Sequence, residues 1–138
     1  MRLAALLPIA FALIGASPGQ PVVEVSGGDW SQLPALEFRG YNHLTSTAMS
    51  RIYRLGYERR CRLPGMSGHH IDFNVSFAAQ YGADGHLARL VVPKLNCPEA
   101  EAWLGGTLVQ AIKSGDYRRT EENPEGWYQG AFSFYYEG

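Results

Sequence analysis

The residues of this chain that could bind a metal or transfer a proton are scattered. Its four histidines are His43, the adjacent pair His69 and His70, and His86. Neighbouring residues of an extended strand point to opposite faces, so His69 and His70 are poorly placed to bind one ion. The sequence contains no His-Glu-x-x-His or comparable spacing. We therefore predict neither a metal site nor a bound cofactor.

Motifs for covalent or acid–base catalysis are also missing from the sequence. It has no Gly-x-Ser-x-Gly nucleophile motif, and its glycine-rich stretches 65–68 and 82–85 lack the spacing of a phosphate loop. Glu121, Glu122 and Glu125 fall in a polar stretch, where a solvated acidic patch is expected. We predict no catalytic residue. The alternative is a small exported enzyme or inhibitor whose site only the fold assembles.

The N-terminus has the features of a secretory signal peptide. Arg2 precedes an apolar run from Leu3 to Ile14, and small residues follow it. A bilayer span needs about 20 apolar residues, which makes a permanent membrane anchor the weaker interpretation; a buried N-terminal helix is the other alternative. We expect cleavage after Ala16, with Gly19 as second choice. Residues 1–16 are then the signal peptide, 17–43 an irregular arm and 44–138 the folded domain.

Export gives the two cysteines a role. Cys61 and Cys97 are the only cysteines, and an even number in an exported chain predicts a disulfide. Two free buried thiols are the alternative.

Length and composition restrict the class of protein. The chain has 138 residues, 46% hydrophobic and 18% charged, with a net charge of −1. These values fit one globular domain and argue against a disordered chain. The near-neutral charge gives no electrostatic footprint for nucleic acid or an anionic membrane.

Two helices are predicted by apolar spacing and by capping residues. The first begins at Thr45 or Ser46 and ends near Gly56, before a basic run of residues 59–62 that we interpret as a solvated patch rather than an anion site. The second is capped by Asn96 or Cys97, has Pro98 in its first turn, and ends at Lys113. Gly105 and Gly106 lower its helix propensity, so we expect this helix to pack closely on the sheet.

Three longer strands follow from alternation of apolar and polar residues. The first covers 70–81 and the second runs from His86 to about Lys94, joined by a turn at Asp84-Gly85. A two-residue loop would pair Ala83 with His86 and set Leu90 opposite Ala79 and Val92 opposite Phe77, so that the apolar faces coincide. The same register carries Cys97 towards Cys61. Residues 127–136 form the third strand, and residues 22–25 suit a short edge strand.

The predicted fold class is α+β, with the element order α-β-β-α-β. A helical crossover between strands two and three favours a parallel relation between them. Strand one then lies between both, giving a three-stranded antiparallel sheet of order 2-1-3 with both helices packed on one face.

This order and several local motifs resemble the C-terminal domain of the TonB family, with the terminal domain of TolA as a more distant relative. The similarity covers residues 44–137. Its core is the apolar strand around Val75-Ser76-Phe77, the Asp-Gly turn, and a V-x-x-V-x-V strand whose positions are taken by Leu87, Leu90 and Val92. Asn96-Cys97-Pro98 before the second helix fits the same pattern.

The chain departs from that family at its N-terminus. Energy-transmitting members have an uncleaved membrane helix and a long proline-rich spacer, whereas here about 20 residues separate a cleavable segment from the domain. The resemblance therefore implies a free-standing periplasmic protein of a Gram-negative bacterium, without a stable membrane anchor after cleavage, and with an accessory role in outer-membrane transport.

The resemblance also implies where a partner would bind. In the TonB family the last strand receives an extra strand from a receptor peptide. The corresponding docking edge here comprises Trp127, Gln129, Ala131, Ser133 and Tyr135. A protein or peptide partner is expected, with a homodimer as a further interpretation and with no nucleic acid. The alternative is that the aromatic residues of this strand fill the core and that the N-terminal arm covers its other face.

Overall fold

The computed structural model describes residues 19–40, 44–120 and 125–138. The elements in these ranges are β1 Val22–Val25, β2 Leu36–Phe38, α1 Ser46–Tyr57, β3 Met66–Ser67, β4 His70–Tyr81, β5 Leu87–Val92, α2 Pro98–Lys113, β6 Tyr117–Arg119 and β7 Gly126–Glu137. The predicted signal peptide, His43, Glu121 and Glu122 lie outside the described residues.

The predicted three-stranded antiparallel sheet is wrong. The main sheet has five strands, in which β1, β5, β4 and β3 are linked in that order and β7 also pairs with β4. Strand β4 is antiparallel to β5, to β7 and to β3, but β1 is parallel to β5, so the sheet is mixed. Strands β2 and β6 form a separate two-stranded antiparallel sheet.

The additional strands escaped sequence reasoning because of their length. Strands β2 and β6 have three residues each and β3 has two, too few for alternation to show. Strand β1 coincides with the predicted edge strand, but its partner is set by the path of the arm. The arm pairs with β5 at one edge of the sheet and reaches β7 at the opposite edge, where Ala35 forms a bridge with Gln129.

The β4–β5 hairpin differs from the prediction at its tip. The N–H of Gly82 donates to the carbonyl of His86 at 3.0 Å, so the loop is Ala83-Asp84-Gly85 and Ala83 does not pair with His86. This loop requires a positive φ only at Gly85, which has φ 81°. A register shift between Gln80 and Tyr81 compensates for the extra loop residue, so Ala79 lies opposite Leu90 as predicted.

Both helices pack on one face of the main sheet. Tyr53 of α1 contacts Tyr136 of β7, and Trp103 of α2 contacts Phe132 and Phe134 of the same strand. The side chains of Thr45 and Glu101 fix the approaches to the two helices: the hydroxyl of Thr45 accepts from the N–H of Ala48, and the carboxylate of Glu101 accepts from the N–H groups of Leu95 and Asn96.

The predicted disulfide is confirmed. Cys61, in the turn after α1, is bonded to Cys97, the N-cap of α2. A disulfide between residues 36 positions apart is typical of a non-reducing compartment. None of the helices in the described ranges is long and apolar enough to cross a membrane.

Candidate functional site

The backbone of β7 presents alternate residues to the outer edge of the sheet. The N–H of Gln129 points away from β4 and donates to the carbonyl of Pro34 at 2.9 Å, and the carbonyl of Ala131 accepts from the hydroxyl of Tyr117 at 2.7 Å. Because main-chain N–H and C=O groups of alternate residues point to the same side of a strand, those of Trp127, Ser133 and Tyr135 also point to this outer edge. These five residues are the predicted docking edge, and their side chains lie on the face opposite the helices.

The arm already occupies the first part of this edge. Ala35 forms a parallel bridge with Gln129. The side-chain amide of Gln129 donates to the carbonyls of Leu33 and Ser31, at 2.7 and 3.2 Å. At Gln129, the outer edge is therefore paired within the molecule.

The second half of the edge is more accessible. The side chain of Tyr135 is 54% exposed, and its hydroxyl donates to the carboxylate of Glu137 at 2.8 Å. That hydrogen bond is the main reason why the pKa of Tyr135 is raised. Among the described residues, no main-chain group pairs with the outward N–H of Ala131 or of Tyr135.

A groove lies between α2 and the outer edge of this half of β7. We call it the α2–β7 groove; its volume is about 750 Å³. β7 contributes Ala131, Phe132 and Ser133, and the C-terminal two thirds of α2 form the facing wall. Phe38 of β2, Leu44, and the 114–117 segment close its end. Asp116 is the only charged residue among the described residues that line it.

No protein-family model, no curated protein and no solved structure matches this chain.

Aromatic rings form the walls of the groove. The ring of Trp103 lies edge-to-face against Phe132, with centroids 6.0 Å apart. Across the groove Phe38, 48% exposed, packs against the buried ring of Tyr117 at 5.1 Å. Burial raises the pKa of Tyr117 to about 12, and the nearby Asp116 carboxylate adds to the increase. The groove therefore offers apolar surface together with a neutral, hydrogen-bonded phenol.

A depression under the hairpin is the strongest alternative to this groove. It has a volume of about 550 Å³, and its charged residues among the described lining are Lys113, Arg118 and Arg119. The guanidinium of Arg119 lies 4.4 Å above the ring of Tyr81 and donates to the carbonyl of Gly85 at 3.4 Å. These contacts account for Arg119 as a packing residue of the hairpin.

The other candidate groups are dispersed over the surface. His69 and His86 are exposed and His70 is half-buried, and His86 lies at the opposite end of β4 from the other two. Within the described ranges, no group of three or more His, Cys, Asp or Glu residues could hold a metal ion.

Sequence reasoning missed most residues that line the groove. Phe38, Trp103 and Tyr117 are far apart in sequence, and two of them lie on strands or loops that gave no pattern. The one available signal was the Gly105-Gly106 pair. Gly105 packs closely, since a Cβ there would lie 2.8 Å from Cγ1 of Val23, but Gly106 does not.

Proposed function

We propose that this chain is an exported protein-binding module, which takes an extended segment of a partner along the edge of β7 between Ala131 and Tyr135. The observation that carries the proposal is the apolar α2–β7 groove, which runs beside that edge. An extended segment paired with β7 would direct alternate side chains into the groove. Main-chain hydrogen bonds would supply affinity and the groove would supply selectivity.

The resemblance to TonB C-terminal domains supports the same strand as the docking site. It also supports a periplasmic location and an accessory role in outer-membrane transport, as the signal-like N-terminus does. The arm limits the length of the docking edge, because Gln129 is already bonded to Pro34. The partner segment therefore begins its pairing at the N–H of Ala131, since the carbonyl of that residue already accepts from the hydroxyl of Tyr117.

Selection of peptides tests this proposal. A library of random dodecapeptides is panned against the purified protein, and the affinities of the enriched peptides are measured for the wild type and for Tyr135→Pro. Proline removes the outward N–H of Tyr135, so we expect affinity to fall about tenfold, the equivalent of one hydrogen bond and some added steric conflict.

Tyr135→Ala is the matched control, since it removes the ring but keeps the N–H. We expect its affinity to remain within about threefold of the wild type, as for a contact at an interface rim. Thermal unfolding verifies that both variants fold. Gln129→Pro is unsuitable, because it would break the bond to Pro34. Failure to enrich any peptide, or equal binding by folded Tyr135→Pro, would contradict the proposal.

A further inference from the structure

Gly106 is a glycine that the fold does not require. It lies in the middle of α2, is exposed, and has a negative φ. Apart from its two chain neighbours and the nearby backbone of α2, no heavy atom of the described residues lies within 4 Å of the position that its Cβ would take. Glycine in a helix interior is less favourable than alanine, so Gly106 lowers the stability of α2, and no close packing compensates for this loss. Gly105 shows the contrast, because its missing Cβ provides space for Val23.

The missing side chain of Gly106 opens a notch in the wall of the groove. Trp103 and Gln110 are three residues before and four residues after it, on the same face of α2, and all three line the groove. Phe132, in contact with Trp103, belongs to the opposite side. The notch is therefore bordered by the partly buried indole of Trp103, which packs on the buried ring of Phe132.

We infer that this notch is a binding subsite for one aromatic side chain of the partner, with Gly106 as the residue that determines its specificity. The inference rests on the proposed function, because it assigns the side chain that the docked segment would insert. Rings pack favourably edge-to-face against other rings, and the walls of the notch carry no charge. An aromatic group thus fits better than a charged or a small one.

Substitutions at Gly106 should change stability and binding in opposite directions. Gly106→Ala should raise the midpoint of thermal unfolding by about 2–5 °C, because alanine favours the helix and nothing obstructs its methyl group. Gly106→Leu should also fold, while its side chain fills the notch. Lys113→Leu, which places a leucine at an exposed position of α2 outside the groove, is the control for non-specific apolar contacts.

The probe is N-acetyl-phenylalaninamide, titrated into ¹⁵N-labelled protein and followed by NMR. We expect saturable shifts of the Gly106 amide and the Trp103 indole with a Kd in the millimolar range, as for a ligand of this size. Binding should be about fivefold weaker for N-acetyl-valinamide. It should be weakened by Gly106→Ala, lost in Gly106→Leu, and retained in Lys113→Leu.

Three results would overturn the inference: no saturable shift at Gly106 and Trp103, equal shifts with N-acetyl-glycinamide, or unchanged binding in Gly106→Leu. The enriched dodecapeptides separate this failure from failure of the docking proposal. If they lose affinity in Tyr135→Pro but not in Gly106→Leu, strand docking holds and the aromatic subsite is wrong. If Tyr135→Pro leaves their affinity unchanged while the probe still occupies the notch, strand docking is wrong and the aromatic subsite holds.

Discussion

Tyr117 connects the two-stranded β2–β6 sheet to the main sheet through its ring and its hydroxyl. The ring is buried and packs edge-to-face on Phe77, with centroids 5.1 Å apart, and the hydroxyl donates to the carbonyl of Ala131 at 2.7 Å. Burial, with a smaller contribution from Asp116, raises the pKa of Tyr117 from 10.0 to about 12. The folded state therefore holds this proton more tightly than the unfolded state does.

The raised pKa predicts a loss of stability in alkali. The contribution of Tyr117 is fully present below pH 10 and is lost as the pH rises towards 12, because the unfolded chain then releases the proton first. In urea unfolding between pH 9 and pH 11.5, the free energy of unfolding of Tyr117→Phe should fall less than that of the wild type, by up to about 2 kcal/mol. Tyr57→Phe, which changes a ring that is 55% exposed, is the control. An unchanged pH dependence in Tyr117→Phe would contradict this assignment.

Glu101 stabilises the segment that precedes α2 through contacts that the sequence did not indicate. An acidic residue in the first turn of a helix ordinarily complements the helix dipole. Its carboxylate instead accepts from the N–H groups of Leu95 and Asn96, at 2.6 and 3.1 Å, and Glu101 is only 9% exposed. Asn96 has a φ of 57°, and the bond from its N–H to the carboxylate stabilises the loop in this conformation.

Glu101→Ala should lower the free energy of unfolding by about 2–4 kcal/mol, because it leaves two main-chain donors unpaired, one of them buried. Glu99 is the matched control, since it occupies the same first turn but is exposed. Glu99→Ala should cost less than about 1 kcal/mol. Equal effects of the two substitutions in urea unfolding would show that the contacts of Glu101 carry no special weight.

At the scale of elements, sequence reasoning succeeded where a pattern was long. Apolar and polar residues of β4 alternate from Ile71 to Phe77, and α2 carries Pro98 and Lys113 at its ends, so the bounds of both elements agree with the prediction. The predicted strand 127–136 likewise agrees with β7 to within one residue at each end. Short strands defined by distant partners, such as β2 with β6, depend on contacts that no local pattern contains.

The disulfide ties the end of α1 to the start of α2. Replacing both cysteines by serine should lower the free energy of unfolding by about 3 kcal/mol, chiefly by releasing the unfolded chain from a 36-residue loop. Urea unfolding of the double variant and of the reduced wild type should agree. Alkylation of the native protein without reductant should label neither cysteine, and labelling of both would contradict the bond.

At the scale of the whole molecule, the arm connects the two edges of the main sheet. It supplies β1 at one edge, crosses to the other edge, and covers β7 at Gln129. Its composition, rich in proline and glycine, predicted an irregular segment, and its pairing could not be predicted because the partner strands are up to about 100 residues away. The α2–β7 groove could not be predicted for the same reason, since three segments far apart in the sequence form it, within 38–44, 102–117 and 131–133.

The central claim is that a partner segment pairs with β7 between Ala131 and Tyr135. Amide hydrogen exchange, measured residue by residue with and without a saturating enriched dodecapeptide, tests it most directly. We expect slower exchange at the outward N–H groups of Ala131 and Tyr135, and unchanged exchange at the outward N–H groups of β1. Protection confined to β1, or no change along β7 in the saturated complex, would contradict the claim.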